Sequence, residues 1–285
     1  MRKLRIYSLI LVILIIISII IYFNKSNKEI KQDFNRPEKA FLASYYSVFK
    51  KYQSETSLFD INKINNIKQK EKFDKELREK LVELLNMPLD KIPISQIPGS
   101  EIEIIDKGSY LQKKIGILTS KNTAANAYLL VPKNTKFPAP AIIAMHQHGG
   151  TKYGSEEIIG NIGDPSLAYG KELAERGYVV FAMDSFLFGE RQLKNNNSNE
   201  VVETIISQKL FNLGHPPLGI IVQEDLVSLD FLYSLDFVDK ENIGCIGHSF
   251  GGIRCMYLAA LDNRVKATVL SSSVVNIKFS YETGN

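Results

Sequence analysis

The amino-acid sequence predicts an α/β fold with a mostly parallel sheet, flanking helices and an added N-terminal transmembrane helix. Two continuous apolar runs of strand length, residues 139–146 and 177–184, are typical of central strands that are buried on both faces. Strands alternate with helical segments across residues 140–275, which favours parallel pairing. Near the end of this stretch, the glycine-rich sequence "NIGCIGHSFGG" joins an apolar strand to a helix. This junction is the strongest functional signal in the chain.

The first 23 residues predict a membrane anchor or a signal segment. Residues 6–23 contain no charge and follow a short basic tail. As a helix they would extend about 27 Å, close to the roughly 30 Å core of a bilayer. No small-residue cleavage site follows, so we favour an uncleaved anchor over a cleaved signal peptide. The basic tail favours a cytoplasmic start, and the rest of the chain is then membrane-anchored and extracytoplasmic, or secreted if cleavage occurs.

Three further regions follow this segment. Residues 24–36 are polar and predict a linker. Residues 37–98 predict a helical extension, clearest in "FDKELREKLVELLNMP", where apolar residues recur at helical spacing before a proline. From residue 99 to 285 the pattern is that of the α/β domain, which opens with the short β-like runs "EIEIID", "LQKKIGIL" and "NAYLLVP".

Composition argues against several classes of protein. The formal net charge is +4 and the lysines are dispersed, so no basic stripe suggests a nucleic-acid partner. The two cysteines, Cys245 and Cys255, are expected to be buried thiols rather than a disulfide framework. His146 and His148 have the H-x-H spacing of some metal sites, but no third ligand has suitable spacing. We therefore predict neither a metal nor a cofactor.

The central motif is Gly247-His248-Ser249-Phe250-Gly251, which fits the G-x-S-x-G pattern of a nucleophile elbow. Such an elbow holds the serine on a sharp turn between a strand and a helix. Gly247 and Gly251 remove side chains so that strand and helix can approach, while Ser249 adopts strained backbone angles. The pattern predicts Ser249 as a catalytic nucleophile; the alternative is an ordinary serine in a glycine-rich turn.

An oxyanion hole is predicted beside this serine. In this architecture, one donor is the backbone N–H that follows the nucleophile, which here belongs to Phe250. The second comes from the loop after an earlier strand, where "HQHGG" places His148 and Gly149. His146 and His148 precede the serine in the chain and are expected to support this loop rather than act as the base.

Other polar residues near predicted strand ends have less specific roles. Asp184 is expected to hold loop backbone N–H groups, and Glu190 and Arg191 are expected to form local ion pairs. His215 is expected to be solvated in a loop, with a substitute base as the alternative. The side chain of His248 is expected to point away from that of Ser249.

With these motifs assembled, the chain resembles the α/β-hydrolase superfamily, most closely its dienelactone-hydrolase-like and acetyl-xylan-esterase-like branch. The resemblance runs from about residue 77 to 275 and rests on blocks in family order: "LREKLVELLNMP", "AYLLVP", "PAIIAMHQHGG", "GYVVFAMDSFLFGER", "LGHPPLGIIVQEDLVSLDFLYSLDFVDKENIGCIGHSFGG" and "VKATVLSSS". It implies a serine esterase that forms an acyl-enzyme on Ser249 and takes a small-molecule or carbohydrate ester. It also implies that Asp225 and Asp230 occupy structural positions on the helix before the nucleophile strand.

The chain departs from this family at its C-terminal end. The family places its catalytic Asp and His on later strands, whereas only 36 residues follow Ser249 here and none is a histidine. We therefore expect a C-terminally truncated sheet with an open apolar edge and impaired hydrolysis. Two alternatives stay open: a membrane-anchored pseudoenzyme that binds without turnover, and a second chain that completes the open edge.

Overall fold

The computed structural model describes residues 61–87, 100–148, 153–193 and 199–274. The sheet and its helices belong to one compact unit, Ile64–Val275. The other unit comprises Met1–Lys63 and Asn276–Asn285, of which only the 3₁₀ turn Ile61–Lys63 is described. The predicted span at residues 6–23 and the linker at 24–36 lie outside the described residues. Within the described part of the chain, no helix is long and apolar enough to cross a membrane.

Seven strands form one sheet in the order β1-β2-β3-β5-β4-β6-β7. Their bounds are β1 Ser100–Asp106, β2 Tyr110–Leu118, β3 Ala124–Pro132, β4 Ala139–Met145, β5 Val179–Met183, β6 Val238–His248 and β7 Val265–Ser271.

The sheet is mixed, which corrects the prediction of a mostly parallel one. β1, β2 and β3 pair antiparallel in sequence, and β3 also pairs antiparallel with β5. The pairs β4–β5, β4–β6 and β6–β7 are parallel, as the alternation of strands and helices over residues 140–275 predicts. The physical reason is connection length, because β1 to β3 are joined by short turns and only antiparallel neighbours can be joined that way.

Six α-helices flank the sheet in the described residues: α1 Ile67–Leu85, α2 Ser155–Ile158, α3 Tyr169–Glu175, α4 Asn199–Asn212, α5 Pro217–Ser234 and α6 Phe250–Leu261. Helix α1 begins where the Asn66 side chain accepts the Gln69 N–H at 2.9 Å, and it ends at Asn86, which is left-handed with φ 40°. It packs on the sheet unit through Arg78, whose Nε donates to the Ala260 carbonyl at the end of α6 over 2.9 Å.

The hydrophobic core lies on both faces of the central strands. All five residues of β5 are buried. Phe181 belongs to an apolar cluster that includes Leu229 of α5, and Val180 belongs to a second cluster that includes Ile158 of α2. Since successive side chains of a strand point to opposite faces, a strand covered by helices on both sides reads as a continuous apolar run. Cys245 and Cys255 are buried free thiols, as expected.

Strand β7 is the last strand of the described sheet. It pairs with β6 and has no further neighbour among the described residues. Val269 on this strand is 53% exposed. An exposed apolar strand edge can pair with another chain. The completing partner chain stays a prediction, since nothing in the described residues tests it.

Candidate active site

The nucleophile elbow forms at the junction of β6 and α6. β6 ends at His248 and α6 begins at Phe250, so Ser249 is the single residue between them. Its backbone has φ 50° and ψ −117°, a conformation that costs a non-glycine residue about 1–3 kcal/mol. The Ser249 N–H donates to the Ser271 carbonyl at the end of β7 over 2.7 Å. The strain expected from the motif is therefore present and is held in place by the neighbouring strand.

The two glycines of the motif permit the close approach that the elbow needs. A Cβ on Gly247, near the end of β6, would overlap the backbone of Gly251 in the first turn of α6. A Cβ on Gly251 would overlap the carbonyl oxygen of Met145 at the end of β4. Any side chain at either position would therefore force the strand and helix apart.

The structure places two of the predicted oxyanion-hole residues, Phe250 and His148, close together. Phe250 is the first residue of α6, so its N–H has no carbonyl acceptor within the helix and lies at the positive end of the helix dipole. His148 follows β4, and its ring lies edge-on to the Phe250 ring with centroids 6.4 Å apart. Gly149, the other predicted donor residue, lies outside the described residues.

An aromatic cluster that the sequence did not predict covers this region. Phe188 stacks on Phe250 with ring centroids 5.6 Å apart and an interplanar angle of 17°. The same ring meets His148 edge-on at 5.3 Å, and it is buried. The sequence signal for this cluster is the run "SFLFGE" after β5, where two aromatic residues follow the end of a strand. Nothing in the run indicates which of the two rings is buried.

His148 is also bound to a carboxylate. Its Nε2 lies 2.8 Å from Oε2 of Glu203, a residue of α4. The side chains of His148 and Glu203 are 45% and 25% exposed. Glu203 lies 55 residues further along the chain on a helix with little amphipathic pattern, so sequence reasoning missed it.

His146 is part of the protein core, as expected for a supporting residue. Its side chain is buried, and its Nε2 accepts the Ser185 N–H at 3.0 Å. The proton therefore sits on Nδ1, which donates to the Gln147 carbonyl over 2.7 Å. Burial, and to a smaller degree the positive charge of Arg254, lowers the pKa of His146 to about 3. His146 is therefore a neutral imidazole whose two nitrogens are both hydrogen-bonded, and its role is structural.

Asp184 holds the loops at the ends of β4 and β5, which confirms the expectation for this residue. Its Oδ1 accepts both the Ser155 N–H at 2.7 Å and the Ser155 hydroxyl at 2.6 Å. Its Oδ2 accepts the Glu190 N–H at 2.8 Å. Burial raises the pKa of Asp184, while these donors favour the charged form.

Glu190 and Arg191 do form ion pairs, but with residues distant in the sequence rather than local ones. Glu190 pairs with Lys114 of β2. Arg191 makes a two-pronged contact with Glu224 of α5, with N–O distances of 2.6 and 2.7 Å. These pairs therefore fix the loop after β5 against the body of the domain.

The remaining histidines also bond elsewhere. His215 Nδ1 lies 3.3 Å from the carbonyl of Asn86, at the end of α1. His248 Nδ1 lies 3.1 Å from the hydroxyl of Ser271 on β7, so its side chain contacts β7, as expected. Among the described residues, the hydroxyl of Ser249 has no histidine or carboxylate as a hydrogen-bond partner. All four histidines of the chain lie in the described part.

Two ion pairs anchor the helices around the elbow. Asp225 of α5 is fully buried against Arg254 of α6, with Nη2–Oδ1 2.5 Å and Nε–Oδ2 3.1 Å. Asp230, five residues further along α5, binds Arg264 at 2.6 Å. Both aspartates thus have the structural contacts that the sequence implied.

No metal centre accompanies this site in the described ranges. They contain no group of three or more His, Cys, Asp or Glu side chains that could hold a metal ion.

A strained serine between a strand and a helix, on a mixed sheet covered by helices on both faces, defines the class of α/β hydrolases. The chain belongs to the Abhydrolase family, whose model matches residues 24–278. The superfamily resemblance drawn from the sequence is thereby confirmed.

The chain is similar to YtaP of Bacillus subtilis (strain 168), a provisionally named hydrolase. They are 31% identical over 212 residues, which cover 74% of this chain and 68% of YtaP. Among solved structures, it is similar to a provisionally named acetyl xylan esterase from Bacteroides fragilis NCTC 9343. The TM-score is 0.62 at 23% identity, covering 70% of this chain and 52% of that chain. Acetyl xylan esterase 1 from Thermoanaerobacterium sp. JW/SL YS485 has a TM-score of 0.51 at 16% identity, covering 74% and 62%. The structural likenesses establish the fold, and this chain spans only about half of the Bacteroides protein.

Proposed function

We propose that this protein is a serine carboxylic-ester hydrolase that acts through an acyl-enzyme on Ser249. The observation that carries the proposal is the strained backbone of Ser249 at the end of β6, with φ 50° and two glycines packed against its turn. Backbone strain of this kind clusters at active sites and ligand-binding sites. Relatives named as hydrolases and acetyl xylan esterases support a small-molecule or carbohydrate ester as substrate.

The chemistry follows from what the elbow presents. The Ser249 hydroxyl oxygen attacks the ester carbonyl carbon and transfers its proton to a base. The tetrahedral oxyanion then accepts hydrogen bonds from the Phe250 N–H and from an N–H of the loop that begins at His148. Collapse releases the alcohol, which takes up the proton, and water hydrolyses the acyl-serine. Each oxyanion donor is typically worth about 10²–10³ in rate.

A serine at its ordinary pKa needs a neighbouring base. Since none of the four histidines hydrogen-bonds Ser249, we expect hydrolysis by the 285-residue chain to be impaired. What remains is the residual catalysis that binding and the oxyanion hole provide, about 10³–10⁴ over water in serine proteases that lack triad members.

The absence of a histidine bonded to Ser249 among the described residues also favours a second candidate function. In the described ranges no base is bonded to Ser249, so this second candidate is a membrane-anchored pseudoenzyme that binds an ester without turning it over. Its aromatic cluster beside Ser249 would then serve binding alone. Completion of the site by another chain along β7 is a variant of the first proposal, because the partner would supply the base.

The test uses the full chain with p-nitrophenyl acetate and a fluorophosphonate probe. We expect slow hydrolysis, lost in Ser249→Ala but kept in Ser234→Ala, whose hydroxyl bonds the Phe231 carbonyl within α5. Mass spectrometry should locate the probe on Ser249. Hydrolysis that survives Ser249→Ala contradicts the proposed nucleophile. Ester binding with neither hydrolysis nor labelling supports the pseudoenzyme.

We also propose that the protein is membrane-anchored and extracytoplasmic. The support is the uncharged run at residues 6–23 behind a short basic tail. Protease added to spheroplasts of an expressing bacterium should digest the domain, and detergent should be needed to extract it. Digestion only after lysis would contradict this location.

A further inference from the structure

We propose that one face of α4, together with His148, forms a subsite for the hydroxyl-bearing sugar ring of the ester's alcohol portion. This inference rests on the proposed function and names the part of the molecule that would bind the alcohol. It concerns an open cavity of about 350 Å³ next to the elbow. The cavity is lined by His148, Glu203, Thr204, Ser207, Gln208 and Phe211.

The helix sequence explains why these residues share a face. Five lining residues come from α4 at positions 203, 204, 207, 208 and 211. Residues three or four apart lie above one another on a helix, so this spacing gives a single stripe. The stripe and His148 line the same cavity, and His148 Nε2 lies 2.8 Å from Oε2 of Glu203 on the stripe.

The position of the cavity relative to Ser249 is fixed by ring contacts. The His148 ring lies edge-on to that of Phe250, the residue directly after Ser249, and to that of Phe188. His148 therefore lines the cavity and also borders the elbow. An ester with its carbonyl at Ser249 can extend its alcohol portion past His148 and along α4.

The chemistry of the lining indicates the class of ligand. Ser207 and Gln208 present a hydroxyl and an amide, and Glu203 presents a carboxylate, all groups that pair with hydroxyls. Among the described residues, the lining contains one acidic residue and no Lys or Arg, which disfavours phosphate or carboxylate ligands. Phe211 lines the cavity and is 61% exposed, so its ring face is accessible to a ligand bound there. A sugar ring offers both features, hydroxyls at its edge and C–H groups on its face.

The test is calorimetric binding to the full chain carrying Ser249→Ala, which prevents turnover. The probes are a monoacetylated methyl β-D-xyloside and monoacetin, which carries the same acetyl ester and free hydroxyls but no ring. We expect Phe211→Ala to weaken xyloside binding about three- to tenfold, the range for loss of an aromatic contact. Phe211→Tyr, which keeps the ring, should bind within about twofold of the parent.

Matched controls lie on the same segment. Leu213→Ala removes an apolar side chain that is 73% exposed and does not line the cavity, and it should change nothing. Gln208→Ala should weaken xyloside binding, while Lys209→Ala, the neighbouring non-lining residue, should not. Monoacetin affinity should be unaffected by Phe211→Ala.

Two outcomes overturn the subsite: no measurable xyloside binding, or equal effects of Phe211→Ala and Leu213→Ala. The proposed function fails separately, if the wild-type chain shows no hydrolysis or labelling at Ser249. A Phe211-dependent preference for the xyloside would then remain as evidence for a sugar-binding pseudoenzyme.

Discussion

Arg254 and Asp225 form an ion pair that is almost completely excluded from solvent, with side chains 2% and 1% exposed. The pair joins α6, which starts at the nucleophile, to α5, which packs beside it. One guanidinium nitrogen, Nη1, is buried without a hydrogen-bond partner in the described residues. Because charges buried this deeply depend on each other, the position of the elbow helix depends on both residues.

The first prediction concerns this pair. Asp225→Asn leaves the Arg254 charge buried without its counter-charge and should lower the free energy of unfolding by about 3–5 kcal/mol. Asp230→Asn is the control: the Arg264–Asp230 pair is more exposed, and Arg264 keeps Asp262 at 2.7 Å. It should cost about 1 kcal/mol or less. Urea denaturation measures both, and equal losses would contradict the proposed dependence.

The second prediction concerns the close approach at the elbow. Gly251→Ala puts a methyl group onto the Met145 carbonyl and should cost about 1–3 kcal/mol or more, since backbone cannot move aside easily. For a domain of this size that is a fall in Tm of about 2–4 °C per kcal/mol. The control is Gly116→Ala, at a glycine of β2. Its added Cβ lies 3.3 Å from Oγ of Ser100, a side chain that can rotate away. A fall in Tm as large for Gly116→Ala would show that contact with Met145 is not the cause.

The third prediction concerns Asp184 as the residue that holds two loops. Asp184→Ala removes the acceptor of three hydrogen bonds. It leaves the buried Ser155 N–H unpaired, at about 1–3 kcal/mol, and removes the acceptor of the partly buried Glu190 N–H. The control is Asp164→Ala, which removes a single exposed cap to the Ser166 N–H and should cost about 1 kcal/mol. Hydrogen exchange should accelerate at Ser155 and Glu190 in the Asp184 variant alone. Unchanged protection of both amides would contradict the role.

The central strands and the elbow were predictable because their signals are local. The apolar runs at residues 139–146 and 177–184 became β4 and β5, and G-x-S-x-G placed the strained φ on Ser249. Asp184 was also assigned correctly, since a carboxylate at the end of a buried strand has backbone N–H groups within reach. In each case the physical cause lies within a few residues of the signal.

Features that depend on distant partners could not be predicted in the same way. The antiparallel pairing of β1, β2 and β3 was not predicted, because the alternation of strands and helices was considered only from residue 140 onward. Glu203 binds His148 across 55 residues, and Arg191 binds Glu224 across 33, so neither pairing has a local signature. The stacking of Phe188 on Phe250 likewise depends on how two loops meet in space.

The last prediction concerns acid stability and His146. The pKa of His146 is about 3 in the folded chain and about 6.5 in the unfolded chain. Between these pH values the unfolded chain therefore binds a proton that the folded chain does not bind. The free energy of unfolding contributed by this residue is therefore fully present above pH 6.5 and declines as the pH falls towards 3. The loss should be about 2 kcal/mol by pH 5.

The test is the variant His146→Gln, which cannot take up this proton. It should lose less stability between pH 7.5 and 5 than the wild type, even if its free energy of unfolding at pH 7.5 is lower. Urea denaturation at both pH values gives the difference, in which the carboxylates common to both proteins cancel. His215→Gln, at a half-buried loop position, serves as the control for replacing a histidine elsewhere. Parallel pH profiles for the wild type and His146→Gln would mean that the buried imidazole becomes protonated within the fold, and that its bond to Ser185 does not hold it neutral.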